Sequence, residues 1–437
     1  MAGAGDVFGR KKAVKVGGDV CIVGRNCCGL ESARAVAVTT PPTIGSLHDL
    51  VYPPVIEMDI KSQTLEELQA QFKSWDQPSY RVAQLLEWLY MHRVTDWEAM
   101  TNLPKALREQ LRKHYTLQSM ELVRTQGARD TTQKFLWRLS DHSLIESVLI
   151  PANPALYGEP SDRHTLCVST QVGCAYGCKF CASGLEGWKR NLGVEEIVDQ
   201  ILAVERWNHA DAPSEKGEGR TDNGITHHAS PTTHPRLISN LVIMGMGEPL
   251  ANYPNLLKAL HILNAPWGGG IGARKMTVST SGLAPQIRQL ADEPLQLRLA
   301  ISLHGATDEV RSKIMPVNRK YPLRELTVAC EYYQQKRGRM ITFEYILIAG
   351  VNDGLDQIKP LAALARRLNA KVNLIPYNAV DGLSWERPSE HAQQAFLAAL
   401  TRQKVTATLR REKGHDIAAA CGQLRLRTER ELGTMAR

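Results

Sequence analysis

From Arg163 onward the chain alternates strand-like and helix-like segments six times, and nothing else in it limits the fold so strongly. The strand candidates are Leu166–Ser169, Leu237–Met244, Met276–Thr280, Leu297–Leu303, Ile341–Ile348 and Lys371–Ile375. Helical stretches lie between them, among them Val194–Trp207, Asn255–Leu263 and Leu355–Leu368, with His391–Leu400 after the last. Strands alternating with helices of that length indicate βαβ units and a parallel sheet. Six units are too few for a closed eight-stranded barrel, which leaves a partial barrel or a doubly wound sheet. In either, the site falls at the carboxyl ends of the strands.

The flanks read differently. Leu65, Leu68 and Phe72, then Leu85, Leu86, Leu89 and Tyr90, then Leu107 and Leu111 recur at three- and four-residue spacing. This predicts a small helical domain from Gln63 to about Val123, within bounds of 59–125. A strand pair, Lys134–Leu139 and Ile145–Ile150, follows in 126–160 and turns at Asp141-His142-Ser143. Residues 1–58 lack a sustained period and read as a flexible extension, with Cys21, Cys27 and Cys28 incidental. The main unit spans 161–404. Within it, 209–235 is rich in Gly, Ser, Thr, Pro and His and reads as an inserted surface loop.

Composition sets outer limits. The 437 residues are 43% hydrophobic and 22% charged, an ordinary balance for a globular protein. No apolar run approaches the roughly 20 residues of a membrane span, and the N-terminus has no apolar signal core. Nine cysteines, several tightly clustered, suit metal or redox chemistry in a reducing compartment better than a disulfide framework. A cytoplasmic monomer without membrane attachment is expected. The net charge of +8 permits a polyanionic partner without requiring one. From Arg402 to Arg437 nine Lys or Arg stand against four Asp or Glu, so the segment 405–437 is a basic tail.

Three cysteines stand in Val172-Gly-Cys-Ala-Tyr-Gly-Cys-Lys-Phe-Cys181, just after the first strand. On a short loop this spacing brings the Cys174, Cys178 and Cys181 thiolates onto three corners of a 4Fe–4S cube. Such cubes normally take four cysteines, so the fourth iron is left open for a substrate. The rival is zinc with a histidine as fourth ligand. Zinc sites usually pair Cys-x-x-Cys units, however, and His164 precedes the whole strand.

The other strand ends carry polar residues. The second ends in Met244-Gly-Met-Gly-Glu-Pro-Leu250, where Gly247 lets backbone approach a ligand and Glu248 offers a carboxylate to an ammonium group. Ser279 follows the third strand, Ser302-Leu303-His304 the fourth and Asn378 the sixth.

These residues carry a resemblance. The cysteine triplet with Phe180, followed by Gly-Met-Gly-Glu248-Pro, resembles the radical S-adenosylmethionine (SAM) superfamily. Thr165-Leu-Cys-Val-Ser-Thr-Gln-Val-Gly-Cys174, Ser279-Thr-Ser-Gly282, Ala300-Ile-Ser-Leu-His304, Asn373-Leu-Ile-Pro-Tyr-Asn378 and Asp416-Ile-Ala-Ala-Ala-Cys-Gly-Gln-Leu424 resemble the RlmN/Cfr RNA adenine methyltransferases. The resemblance runs from about Leu65 to Leu424 and implies a partial (βα)6 radical SAM barrel with a small N-terminal helical accessory domain. It also implies a 4Fe–4S cluster on Cys174, Cys178 and Cys181. SAM would contact Gly247, Glu248, Ser279, Ser302, Leu303, His304 and Asn378.

The implied chemistry places a methyl group on an adenine amidine carbon, C2 or C8, which is too electrophilic for direct attack on the SAM methyl. By resemblance Cys421 first takes a methyl from one SAM as S-methylcysteine. A 5′-deoxyadenosyl radical from a second SAM activates that methyl, which then bonds to the adenine. Cys167 attacks the Cys421 sulfur to release the product and leaves a Cys167–Cys421 disulfide. Glu146 matches a family carboxylate treated as proton acceptor, and whether it or Cys167 takes the ring proton stays open. Pro249 and Pro376 follow the C2 (RlmN-type) pattern rather than the C8 (Cfr-type) one. The implied partners are 23S rRNA, at the peptidyl-transferase centre, and tRNA, at the adenosine beside the anticodon. The target base would leave its stack to reach the cluster. An electron donor such as flavodoxin or ferredoxin would reduce the cluster. A reading from another class is a non-catalytic, metal-stabilised RNA-binding module.

Overall fold

Residues 58–127, 132–152, 163–210, 236–410 and 422–435 are described by a computed structural model. Residues 1–57, residues 211–235 of the expected insert and Cys421 lie outside the described residues. The N-terminal helices follow from their periodicity. Helix α1 (Leu65–Ser74) opens with a capping box in which Thr64 Oγ1 accepts the Glu67 N–H at 3.3 Å and the Glu67 carboxylate accepts the Thr64 N–H at 2.8 Å. Two amides that the first turn leaves without partners are thereby satisfied. Helices α2 (Tyr80–Tyr90) and α3 (Lys105–His114) follow, with Leu68, Phe72, Leu85, Leu89, Leu107 and Leu111 buried in one apolar cluster.

The helical pattern stops at His114, short of Val123. Glu121-Leu-Val-Arg-Thr-Gln126 forms strand β1 instead, as suits a short segment carrying Val and Thr. It pairs antiparallel with β2 (Gln133–Arg138), which pairs with β3 (Leu144–Pro151) in the expected hairpin, Leu136 opposite Glu146. Strand β4 (His164–Cys167) runs antiparallel to β3. Strands β5 (Gln171–Gly173) and β6 (Trp188–Asn191) make a separate small hairpin. Then come α4 (Val194–Ala210), β7 (Asn240–Ile243), α5 (Tyr253–Asn264), β8 (Met276–Thr280), α6 (Ala284–Asp292) and β9 (Arg298–Ser302). The chain continues through α7 (Asp308–Ile314), α8 (Leu323–Arg337), β10 (Thr342–Leu347), α9 (Ile358–Arg367), β11 (Lys371–Pro376), α10 (Glu390–Arg402), β12 (Ala407–Leu409) and α11 (Gln423–Met435).

Ten strands form one sheet in the order β1-β2-β3-β4-β7-β8-β9-β10-β11-β12. Every neighbouring pair from β4 onward is parallel. The six expected strands are joined by a seventh, β12, whose three residues are too few to raise a period. The order never reverses, and this decides between the two expected architectures. A doubly wound sheet reverses at its switch point. With right-handed crossovers an unreversed order sends every helix to one face and curls the other around a cavity.

Strand β10 shows the two faces. Phe343, Tyr345 and Leu347 are buried, and the Tyr345 ring stacks 5.7 Å from Phe396 of α10. The alternate residues Glu344 and Ile346 line the cavity. Among the described residues no helix is long and apolar enough to cross a membrane.

Candidate active site

The cysteine run occupies the loop between β5 and β6, at the mouth of the barrel. Gly173 (φ 77°) can make the turn into it only as glycine, because a Cβ there would stand 2.0 Å from the Gly187 carbonyl oxygen. The Cys174 N–H donates to that carbonyl at 3.0 Å, and the Lys179 N–H donates to Ile314 O of α7 at 2.9 Å. The loop is thus tied to the hairpin on one side and to the barrel wall on the other.

Cys174, Cys178 and Cys181 all line one cavity of about 1010 Å³ that opens to solvent. Burial pushes the Cys174 thiol up to about 12, with Cys181 and Glu248 adding negative charge. Burial, with Cys181 and Cys174 beside it, holds Cys178 well above the ordinary thiol value. Three crowded thiols of this kind ionise when a cationic centre compensates them, which is what iron supplies. Among the described residues no three His, Cys, Asp or Glu side chains are grouped to hold a metal ion. All three thiols line the same cavity as Glu248, close enough to raise one another's pKa. The residues present fit a cluster better than a lone zinc.

Facing the thiols is Glu248, 3% exposed. Its carboxylate accepts the Ser281 N–H at 2.7 Å and the Leu250 N–H at 3.1 Å, and its own N–H donates to Gln171 Oε1 at 2.9 Å. Burial raises its pKa while the Ser281 bonds oppose the rise. An ammonium group entering here meets a carboxylate already desolvated and aimed. Gly247 (φ 100°) brings backbone to within 2.6 Å of Gln171 Cβ, counted from where its own Cβ would be.

Ser279 and Ser302 face each other across β8 and β9, their hydroxyls 3.5 Å apart. His304 stands at φ 55° with its backbone oxygen held by Asn352 Nδ2 at 2.8 Å, and its ring meets Phe180 edge-on at 4.8 Å. Gly247, Glu248, Ser279, Ser302 and His304 therefore line the cavity together with the three cysteines. Leu303 and Asn378 do not: the Leu303 side chain packs in the core, and Asn378 follows β11 half-buried.

Cys167 ends β4, buried, opposite Val148 of β3 and Val242 of β7. Glu146, two residues from Val148, projects from the same face of the sheet. Cys421 lies outside the described residues, and with it the disulfide expected to Cys167. Its neighbour Gly422 is described. Gly422 (φ 85°) packs so closely on Ser183, two residues beyond Cys181, that a Cβ would stand 2.7 Å from its hydroxyl oxygen. Helix α11 then wedges in, with Leu424 against Leu136 and Leu144, and Leu426 against Ala182 and Tyr377. Arg425, fully buried, ties it to Glu186 of the cysteine hairpin at 2.8 Å. The basic tail is accordingly partly spent on the protein itself, with Arg425 buried and Arg427 paired at the surface with Asp381 at 3.1 Å.

Sequence reasoning missed several contributors. Glu344 and Arg410 line the cavity, and Glu344 is held by Asn373 Nδ2 at 2.7 Å. A carboxylate inside the apolar run Thr342–Leu347 was the available signal. Gln171, which orients Glu248, and Gln200, which accepts the Ser169 N–H at 2.8 Å, carried none.

Comparison with known proteins agrees with this fold. Residues 58–117 match the family model described as the ribosomal RNA large subunit methyltransferase N-terminal domain, and residues 234–362 match that of the radical SAM superfamily. A crystal structure of a radical SAM methyltransferase from Sphaerobacter thermophilus matches with a TM-score of 0.73 at 41% identity, covering 84% of this chain and 98% of that one. The fold is that of a radical SAM methyltransferase, an enzyme class that uses a 4Fe–4S cluster and SAM. A relative from Opitutus terrae, named probable dual-specificity RNA methyltransferase RlmN 3, is 52% identical over 86% of this chain and 96% of its own length. The corresponding RlmN from Geobacillus kaustophilus is 45% identical over 91% and 97%. The chain belongs to the RlmN family.

Proposed function

We propose that the enzyme methylates C2 of the peptidyl-transferase-centre adenosine of 23S rRNA, and C2 of the adenosine beside a tRNA anticodon, through a methyl carried on Cys421. The observation that supports the carrier is the seat of Gly422. The residue after Cys421 packs on the residue two places beyond the last cluster cysteine, although 239 positions separate them. Two RNA substrates are supported by the relatives' name, dual-specificity RNA methyltransferase.

Cys174, Cys178 and Cys181 would hold the cluster, and Glu248 with Gly247 would take the amino end of SAM. Cluster and SAM, when bound, supply a 5′-deoxyadenosyl radical. Cys421 accepts a methyl group by displacement and presents it to the adenine carbon. Glu146 is the candidate for the ring proton. Cys167 then attacks the Cys421 sulfur and frees the product, leaving a disulfide. Ser279, Ser302 and His304 position SAM from the wall, with Leu303 packed in the core behind them and Asn378 half-buried after β11. The cytoplasm, a monomeric state and a small electron donor such as flavodoxin or ferredoxin complete the reading.

Product analysis of 23S rRNA treated with wild type and Cys421→Ala tests it. Wild type is expected to yield 2-methyladenosine and the variant none. Product from the variant would remove Cys421 from the mechanism, and 8-methyladenosine from wild type would replace C2 by C8.

A further inference from the structure

The first turn of an α-helix leaves amide N–H groups without partners, and the residue before it usually supplies a side-chain oxygen to one of them. Helix α11 begins at Gln423, and the residue before it, Gly422, has no side chain to offer. The missing acceptor comes from 276 residues upstream. Glu146 of β3 accepts the Gly422 N–H at 2.8 Å through one carboxylate oxygen and the Arg425 N–H at 2.7 Å through the other. The spacing of three between those amides is that of a capping carboxylate, here provided by a different element.

This acceptor is itself fixed. Lys134 Nζ, from β2, lies 3.3 Å from the oxygen that takes the Gly422 N–H, and the two side chains are 1% and 2% exposed. The β2–β3 register places Leu136 opposite Glu146 and Lys134 opposite Val148, so the pair is diagonal on one sheet face. The Glu146 backbone oxygen accepts the Ser169 hydroxyl at 2.6 Å. A buried ion pair adds little net stability, because desolvation offsets its attraction. Its use lies in specifying a position.

We propose that Lys134 and Glu146 are positioning residues that cap helix α11 at Gly422 and so set where Cys421, the residue before Gly422, is presented. The inference rests on the methyl-carrier reading, and the two fail separately. Glu146→Gln keeps the shape but offers one oxygen where two were used, and Lys134→Met removes the cation while leaving the carboxylate. Backbone hydrogen exchange at Gly422 and Arg425 is expected to speed up by about tenfold or more in Glu146→Gln, the scale of a lost charge-assisted hydrogen bond, and by less in Lys134→Met. Methylation of Cys421 by SAM, followed by the mass of the intact protein, is expected to slow in the same order. Dithionite-driven SAM cleavage reads the cavity wall and the cluster, and is expected to stay within about twofold of wild type. Unchanged exchange and unchanged Cys421 methylation in Glu146→Gln, with only turnover on RNA lost, would overturn the cap and leave Glu146 a purely chemical role. If wild type never methylates Cys421 while the exchange effect persists, the carrier reading falls and the cap stands.

Discussion

The imidazole Nδ1 of His304 accepts the backbone N–H of Ile346 at 3.0 Å, and that bond leaves the ring proton on Nε2. Burial, helped by the nearby Arg311, pushes the His304 pKa from 6.5 down to about 3. The side chain is thus a neutral, oriented donor at the cavity wall.

Its effect on stability has a definite sign. Above about pH 6.5 the ring is neutral in both folded and unfolded chain and contributes no pH dependence. Below that value the unfolded chain binds a proton that the folded one refuses, so stability is lost as pH falls toward 3. At pH 5 this term is expected to cost about 2 kcal/mol relative to pH 7. Urea unfolding of the apoprotein at both pH values checks it, with His304→Gln as reference. The variant's loss between the two should be smaller by about that amount, and equal losses would mean that His304 titrates normally.

The barrel strands and cysteine loop were legible because their signals are local. Cys174, Cys178 and Cys181 are neighbours in sequence, and each longer strand carries an apolar run bounded by turn residues. The direction of winding was not local. It depends on strand order, and only the unreversed sheet excluded the doubly wound alternative. Glu344 was hidden for a related reason, since a parallel strand buried on both faces shows no alternation to say which side is the cavity. The Glu146–Gly422 bond joins residues 276 apart, and Lys134 reads as an ordinary charge in a strand.

Gly422→Ala asks whether the entry to α11 matters to chemistry. An L-residue at φ 85° carries left-handed strain of about 1–2 kcal/mol, and its Cβ must also displace Ser183. Transfer of the SAM methyl to Cys421 is expected to slow by about tenfold or more, the rate equivalent of that strain. SAM affinity should be unchanged, because neither Gly422 nor Ser183 lines the cavity. Equilibrium dialysis of SAM and intact-protein mass spectrometry separate the two outcomes.

Cys178→Ala tests the metal. Removing one of three thiolates leaves a site that cannot retain a cube, so anaerobic reconstitution is expected to give a brown wild type and a variant nearly free of iron and of the visible absorbance. The cavity wall remains, and the protein should fold. Zinc in both proteins, without iron, would instead support a structural metal.

Cys167→Ala is expected to arrest the reaction rather than prevent it. Cys167 ends β4 opposite Val148, on the sheet face from which Glu146 holds Gly422, and the proposed mechanism gives its thiol the task of releasing the product. Without that thiol the methyl carbon bridges the Cys421 sulfur and the adenine with no nucleophile to break the carbon–sulfur bond. A covalent protein–RNA adduct should therefore accumulate to about one per chain, visible as a denaturation-resistant shift on a gel. The double variant Cys167→Ala/Cys421→Ala should form none. Multiple turnovers by Cys167→Ala, with no adduct, would show that another group releases the product.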